Sequence, residues 1–289
     1  MQKTILITGT STGLGQSLSI KLAKAGYKVY ATMRDLGKKS KLQDEATRAG
    51  VSLEIKSLDV QQQSTIDRCV EEMVKQEGRI DILINNAGAG FVKTTEHATE
   101  KEIQWVFDLN FMGIVRCTKA VLPHMRAAKS GRIINISSVG GLVGQPFNEL
   151  YCAAKFAVEG YTESLATYVQ PSFNIKFTVV EPGGIKSEFM KNVLGQLEQT
   201  GGVRQDDYLP VFQKYVNAVQ NRPPEEAARV YQTSDEVADA VIAGCVDSVN
   251  PPIRMRTSPW SNEFTELKTS ADPTGKLLQQ KMIKQFLTG

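Results

Sequence analysis

Short runs of Ile, Leu and Val alternate along this chain with longer stretches whose apolar residues recur at helical spacing. Few folds accept that rhythm, because parallel strands need a crossover between them and a helix is the usual crossover. Strands are expected at Thr4–Thr8, Lys28–Thr32, Ser52–Ser57, Ile80–Ile84, Arg132–Ser137 and Lys176–Glu181, with Pro252–Arg256 as a last short one. The runs are nearly continuous in aliphatic residues, as strands covered on both faces should be. Helices are expected at Leu14–Lys24, Lys38–Ala49, Ser64–Gln76, Thr99–Ala128, Tyr151–Gln170 and Ser234–Val246, and an amphipathic helix in the tail from Asp272. Gly26 stands where a left-handed helix terminus is expected. The predicted class is α/β, a doubly wound parallel sheet of about seven strands with helices on both faces, in one domain over residues 1–289.

Between 186 and 232 the rhythm fails. Polar and aromatic residues mix there with Gly201-Gly202 and Pro223-Pro224, and no clear strand is visible. A long segment of that kind in an α/β chain suits a cover over a site.

Composition excludes several functions. The 34 Lys and Arg against 31 Asp and Glu leave a net charge of +3, too little to favour nucleic acid. The four cysteines, Cys69, Cys117, Cys152 and Cys245, lie far apart and only two histidines occur, so no metal site is expected. No run of apolar residues is long enough for a membrane span, and the opening residues lack a signal-peptide pattern. A cytoplasmic protein is expected.

The first strand runs directly into Thr8-Gly9-Thr10-Ser11-Thr12-Gly13-Leu14-Gly15. Glycines between a strand and a helix let backbone N–H groups approach a pyrophosphate, and the helix N-terminus adds its dipole. The same residues also spell Gly-x-Ser-x-Gly, the nucleophile elbow of hydrolases. An elbow serine needs an acid and then a histidine later in the chain, and it should not follow the first strand. His97 and His124, in a polar loop and at a helix end, read as surface residues, so chain order opposes a hydrolase.

Further along, Asn85-Asn86-Ala87-Gly88 closes the fourth strand with residues small enough for a flat ring to lie against the backbone. Ser138 ends the fifth. Tyr151 and Lys155 are four apart near a helix start and share one face. A phenol is a poor base at neutral pH, and a nearby ammonium favours its ionised form. The pair can exchange a proton with an alcohol or carbonyl oxygen that Ser138 also holds.

Taken in order, Thr8–Gly15, Asn85–Gly88, Asn110, Ser138, Tyr151-x-x-x-Lys155 and Pro182-Gly183 resemble the short-chain dehydrogenase/reductase family, in its oxidoreductase branch. The resemblance implies a Rossmann fold and hydride transfer between a nicotinamide and a ketone, aldehyde or alcohol. It makes Tyr151 the acid/base, Lys155 its partner and a ribose ligand, Ser138 the orienting hydroxyl, and Asn110 a residue that distorts its helix and holds a relay water. It places the cofactor on Gly9, Ser11, Thr12, Gly13, Leu14 and Gly15, on Arg34, Asp59 and Val60, on Asn86, Ala87 and Gly88, on Tyr151 and Lys155, and on Pro182, Gly183, Ile185 and Ser187. Substrate contacts are implied at Ser138, Gln145, Asn148, Tyr151, Gly184 and Met190.

Dinucleotide choice is set after the second strand, at Thr32-Met33-Arg34-Asp35. An acidic residue there binds the ribose diol of NAD, whereas an arginine accommodates the 2′-phosphate of NADP. Arg34 favours NADP(H); Asp35, turned inward, would favour NAD(H). The stretches Val139–Asn148 and Tyr151–Ala157 resemble the branch of 17β-hydroxysteroid and retinol dehydrogenases, implying a small hydrophobic carbonyl or alcohol substrate beneath the cover. The steroid enzymes place a histidine in that cover, and residues 186–289 contain none. The two longest helices resemble the pair through which the family forms homodimers or homotetramers. Alternatives are a dinucleotide-binding regulator without turnover and a 3-ketoacyl-thioester reductase.

Overall fold

A computed structural model describes residues 2–286. Its main sheet is parallel throughout, built from β1 (Thr4–Thr8), β2 (Lys28–Met33), β3 (Glu54–Ser57), β4 (Ile82–Asn85), β5 (Gly131–Ile136), β6 (Ile175–Glu181) and a last strand at Arg254–Arg256. Two further short strands, β7 (Gly184–Lys186) and β8 (Tyr231–Thr233), pair in parallel beside it, so the last strand is β9. The order in the sheet is β3-β2-β1-β4-β5-β6-β9, which reverses direction between β1 and β4. In such sheets, ligands bind outside the carboxyl ends of the strands at that reversal.

The aliphatic runs are buried on both faces. Leu6, Leu83 and Phe177 enter one core layer with Ile66 and Val121, while Ile5, Ile7 and Ile84 enter the other with Leu18 and Val237. Helices supply each layer: α1 (Gly13–Lys24), α2 (Ser40–Ala49), α3 (Gln63–Glu77), α4 (Glu100–Phe107), α5 (Gly113–Ala128) and α6 (Glu149–Phe173). Gly26, at φ +88°, follows α1 as expected.

Two departures from the sequence reading matter for the site. The stretch Thr99–Ala128 is not one regular helix, because a π turn at Asp108–Met112 separates α4 from α5. The segment 186–232 is mostly helical, with α7 (Phe189–Gln199), α8 (Leu209–Gln220) and α9 (Pro224–Val230), and β7 and β8 close its two ends. Helix α10 (Ser234–Val241) carries a capping box from Thr233 and Glu236 and runs into a second π turn at Ile242–Val246. A further helix, α11 (Pro259–Thr269), is capped by Ser258, and α12 (Lys276–Phe286) is the tail helix. Residues 287–289 lie outside the described residues, as does Met1. Among the described residues no helix is long and apolar enough to cross a membrane, and no cluster suits a metal ion.

Candidate active site

The ends of β1, β4, β5 and β6 meet above the sheet, and the residues between β1 and α1 form a tight cradle there. Gly9 adopts φ +71°, and a Cβ on it would stand 2.8 Å from Ala87 Cα. Gly13 adopts φ +62° opposite Ser187. Only glycine takes both positions without strain. Thr12 precedes α1 in extended conformation and gives no side-chain cap, so the first amides of α1, from Gly13, Leu14 and Gly15 onward, are left to an anion.

The side chain of Asn86 braces this cradle. Its amide donates to Thr8 O at 3.0 Å and Gly9 O at 2.9 Å, while Thr8 Oγ1 accepts from the backbones of Asn86 and Ala87. Ser11 lies half-buried on the loop. His97 is not the surface residue expected: it pairs with Asp206 at 2.7 Å and packs edge-on against Tyr208. That engagement gives no support to a hydrolytic triad on Ser11.

Past β2, Met33 turns into the core and Arg34 is exposed. Asp35 caps its own turn, accepting from Gly37 N at 2.8 Å. Beyond β3, Asp59 accepts from Gln61 N, and Val60 packs on Gly113 while its carbonyl accepts from Arg116. These residues form one rim of the site beyond the ends of β2 and β3.

The candidate catalytic side chains come from three elements. Ser138 follows β5 and caps a short turn at Val139–Gly141, accepting from Gly140 N at 3.0 Å. Tyr151 and Lys155 sit in the first turns of α6. Lys155 donates to Ile136 O at 3.0 Å and lies 5.7 Å from the centre of the Tyr151 ring. Asn110 is fully buried inside the π turn, donates to Val106 O and accepts from Ala89 N at 3.1 Å. Gly88 makes this convergence possible, since a Cβ there would stand 2.9 Å from Asn110 Oδ1 and 3.5 Å from Lys155 Nζ.

The electrostatics differ from the sequence expectation. Burial pushes the Tyr151 phenol up to about 12, and the hydrogen bond with Ser138 offsets this only in part. Burial also brings Lys155 down to about 8, against the opposing pull of Glu159. Removal from water therefore outweighs the hydrogen bond to Ser138 in setting the phenol. The arrangement is a buried, protonated phenol beside a serine hydroxyl, suited to giving a proton to an oxygen held by both.

Pro182 O accepts from Val139 N, tying the Ser138 turn to the segment after β6. Gly183 packs under Trp260 and Gly184 under Tyr231, while Ile185 lies in β7 against the core. Ser187 returns to within reach of Gly13, closing the cradle from the far side. Gln145 approaches Gly140 beside Ser138. Asn148 donates instead to Pro146 O and to the Tyr215 hydroxyl on α8, which draws the cover down. The Phe147 ring meets Phe212 and Tyr215 of the same helix. The side chain of Met190 lies outside the described residues.

Residues 3–198 match the sequence model of the short chain dehydrogenase family. Retinol dehydrogenase 8 of Bos taurus is 38% identical over 288 residues, covering 95% of this chain and 87% of that protein. The 17-beta-hydroxysteroid dehydrogenase type 1 of Homo sapiens is 38% identical over 244 residues, covering 80% and 73% respectively. Among solved structures, an actinorhodin polyketide ketoreductase crystallised with NADPH superimposes with a TM-score of 0.74 at 25% identity, over 89% of this chain and 96% of that one. The glycine cradle, with its open helix N-terminus and glycine-only approaches, fits the nicotinamide dinucleotides this family uses. The chain belongs to the short-chain dehydrogenase family and is an oxidoreductase.

Proposed function

We propose that this chain is an NADP(H)-preferring reductase of hydrophobic ketones or aldehydes, able to run in reverse on the corresponding alcohols. The observation that carries the reading is the meeting of Ser138 and Tyr151 with the buried Lys155 and Asn110 above the strand ends. When bound, the nicotinamide supplies or takes up the hydride. Ser138 and Tyr151 hold the substrate oxygen, and Tyr151 passes its hydroxyl proton to that oxygen as the alcohol forms. Lys155 stabilises the phenolate left behind, and Asn110 holds the π turn open toward the lysine, so that a proton can return.

The choice of NADP(H) rests on Arg34, exposed at the end of β2, and on Asp35, whose carboxylate is spent on Gly37 rather than offered to a ribose. Substrate class rests on the cover, where Phe147, Phe212 and Tyr215 build an aromatic wall beside the site, and on relatives named for retinol and steroid substrates. A homo-oligomer is supported by Met112, Phe156 and Tyr168, large side chains left exposed along the π turn and α6.

A side-by-side fluorescence titration with NADPH and NADH, followed by a turnover screen of apolar ketones and aldehydes, tests the reading. Tighter NADPH binding by tenfold, about 1.4 kcal/mol, with turnover would support it. NADH preference would overturn the cofactor assignment, and binding without turnover of any carbonyl would make the chain a dinucleotide-binding regulator.

A further inference from the structure

Directly behind the catalytic residues lies a buried acidic pair that the reaction as described does not use. Glu159 follows Tyr151 and Lys155 at the same four-residue interval, so all three share one face of α6. Glu181 ends β6, immediately before Pro182 and Gly183. Their relative exposures are 6% and 0%.

The surrounding charges do not balance two carboxylates. On its own helix Glu159 has Lys155 and Glu163 as neighbours; Glu181 faces it from β6, and β9 brings Arg254 and Arg256. Arg256 donates to Glu181 Oε2 at 3.1 Å, and Arg254 lies 3.5 Å from Glu163. The ammonium of Lys155 is directed at Ile136 O and the Gly88 side of the site. Both Glu159 oxygens, Glu181 Oε1 and Ser137 Oγ are buried and fall short of a full hydrogen bond to any described side chain. A Cβ on Gly141 would stand 2.6 Å from Ser137 Oγ and 2.7 Å from Glu159 Oε1, so this carboxyl lies directly under the turn that Ser138 caps.

A second buried carboxylate without a cation or donors would be strongly unfavourable, and a proton on one of the two removes the problem. Burial and the facing Glu181 indeed hold Glu159 well above the usual carboxylate range, with Ser137 offsetting only part.

Resting on the reductase reading above, we propose that Glu159 is a positioning residue for the proton-transfer step. As the neutral acid between Ser137 and Glu181, it leaves the charge of Lys155 without a carboxylate partner one turn below, so that this charge acts on the Tyr151 hydroxyl. Ionised Glu159 would draw that charge away from the phenol. The neutral acid also keeps the Ser137–Gly141 turn seated on α6.

The test compares infrared spectra of wild type and Glu159→Gln at neutral pH, with kcat–pH profiles for the best carbonyl substrate. The wild type should show a protonated-carboxyl band that Glu159→Gln lacks, and the variant should keep kcat within threefold with an unshifted profile. Absence of the band would overturn the proposal. So would a tenfold fall in kcat with a displaced profile, since that is the signature of an ionised Glu159 supporting Lys155. Glu181→Gln provides a second reading. With the like-charged neighbour gone, the band should disappear at a pH at least one unit lower, and kcat should fall together with it while KM holds. An unmoved band, or a kcat that ignores it, counts against the proposal. The spectra need no turnover, so a chain with the band and no activity would fail as a reductase, whereas an active chain without the band would fail only here.

Discussion

Asp35 turns its carboxylate back onto the amide of Gly37, 2.8 Å away, and so leaves Arg34 as the only charged side chain of that pair free to meet a ligand at the end of β2. From the sequence the two residues pulled toward different dinucleotides. The turn favours the proposed NADP(H) reading, because one oxygen of the Asp35 carboxylate is already held by its own backbone. Arg34→Ala should therefore weaken NADPH binding by about tenfold or more and leave NADH binding nearly unchanged. Asp35→Ala should cost little for either. Equal loss for both dinucleotides in Arg34→Ala would show that the guanidinium does not read the phosphate.

Gly88→Ala tests the convergence of Asn110 and Lys155. The added methyl would stand 2.9 Å from Asn110 Oδ1, a buried atom already committed to Ala89 N. Neither the π turn nor the lysine can withdraw without leaving its partner. Displacements of this size at a catalytic group cost about 10²-fold in rate. The expected outcome is a loss of kcat of that order with a cooperative melting transition retained; unchanged kcat would show that the two side chains need not meet.

Tyr151→Phe removes the proton donor and keeps the ring that fills the cluster of Phe91, Val106 and Ala154. Dinucleotide affinity should persist while turnover falls by about 10²- to 10⁴-fold. Undiminished turnover would sink the assignment of the phenol.

How much of this was legible beforehand follows the range of the interactions. The central strands were visible because both faces of β1, β4, β5 and β6 are covered, which writes the core directly into consecutive residues such as Ile5, Leu6 and Ile7. The glycine cradle and the Tyr151–Lys155 pair are local spacings. The π turn at Asn110 entered only through resemblance, since nothing in Asp108–Met112 breaks helical periodicity. Ser258 before Pro259 is a plain helix start, and α11 could have been found from it. The direction of Asp35, the pairing of Glu159 with Glu181, and the approach of His97 to Asp206 could not. Each depends on side chains that the fold brings together from different elements, or on a rotamer.

That last pairing fastens the cover. His97 lies beside Asp206 at 2.7 Å and against the Tyr208 ring; Tyr208 donates to Glu96 at 2.9 Å, and Lys93, itself paired with Glu102, reaches Thr200. Of these, Lys93, His97, Asp206 and Tyr208 line a cavity shared with Phe147 and Phe212. A side-chain pair with one partner partly exposed is worth at most about 0.2–1 kcal/mol. Asp206→Asn should thus raise KM for a bulky substrate by about two- to fivefold, leave kcat alone, and speed proteolytic cleavage between residues 200 and 208. A change in kcat with KM constant would mean that the clasp serves chemistry, not closure.

Lys155 makes the pH dependence of stability a direct probe of the site. Its value falls from 10.5 in the unfolded chain to about 8 in the folded one, with burial the main cause. Below about 8 both states hold the proton and the folded state carries the full cost of a buried charge, on the order of 3 kcal/mol. Between about 8 and 10.5 the unfolded chain binds more protons, so this contribution makes stability rise with pH. Tyr151 acts in the opposite sense at higher pH, because the folded phenol keeps its proton up to about 12 and the unfolded one loses it near 10.0. The buried thiols of Cys69, Cys117 and Cys245, raised likewise by burial, oppose Lys155 from about 9 upward. Subtracting the curve of Lys155→Met from that of the wild type cancels these shared contributions. Denaturant titrations from about pH 7 to about pH 10 should show the variant more stable at the low end and the gap closing as pH rises. Parallel curves would mean that Lys155 holds its charge in the folded protein as easily as in water, and the burial cost assigned to its ammonium would not exist.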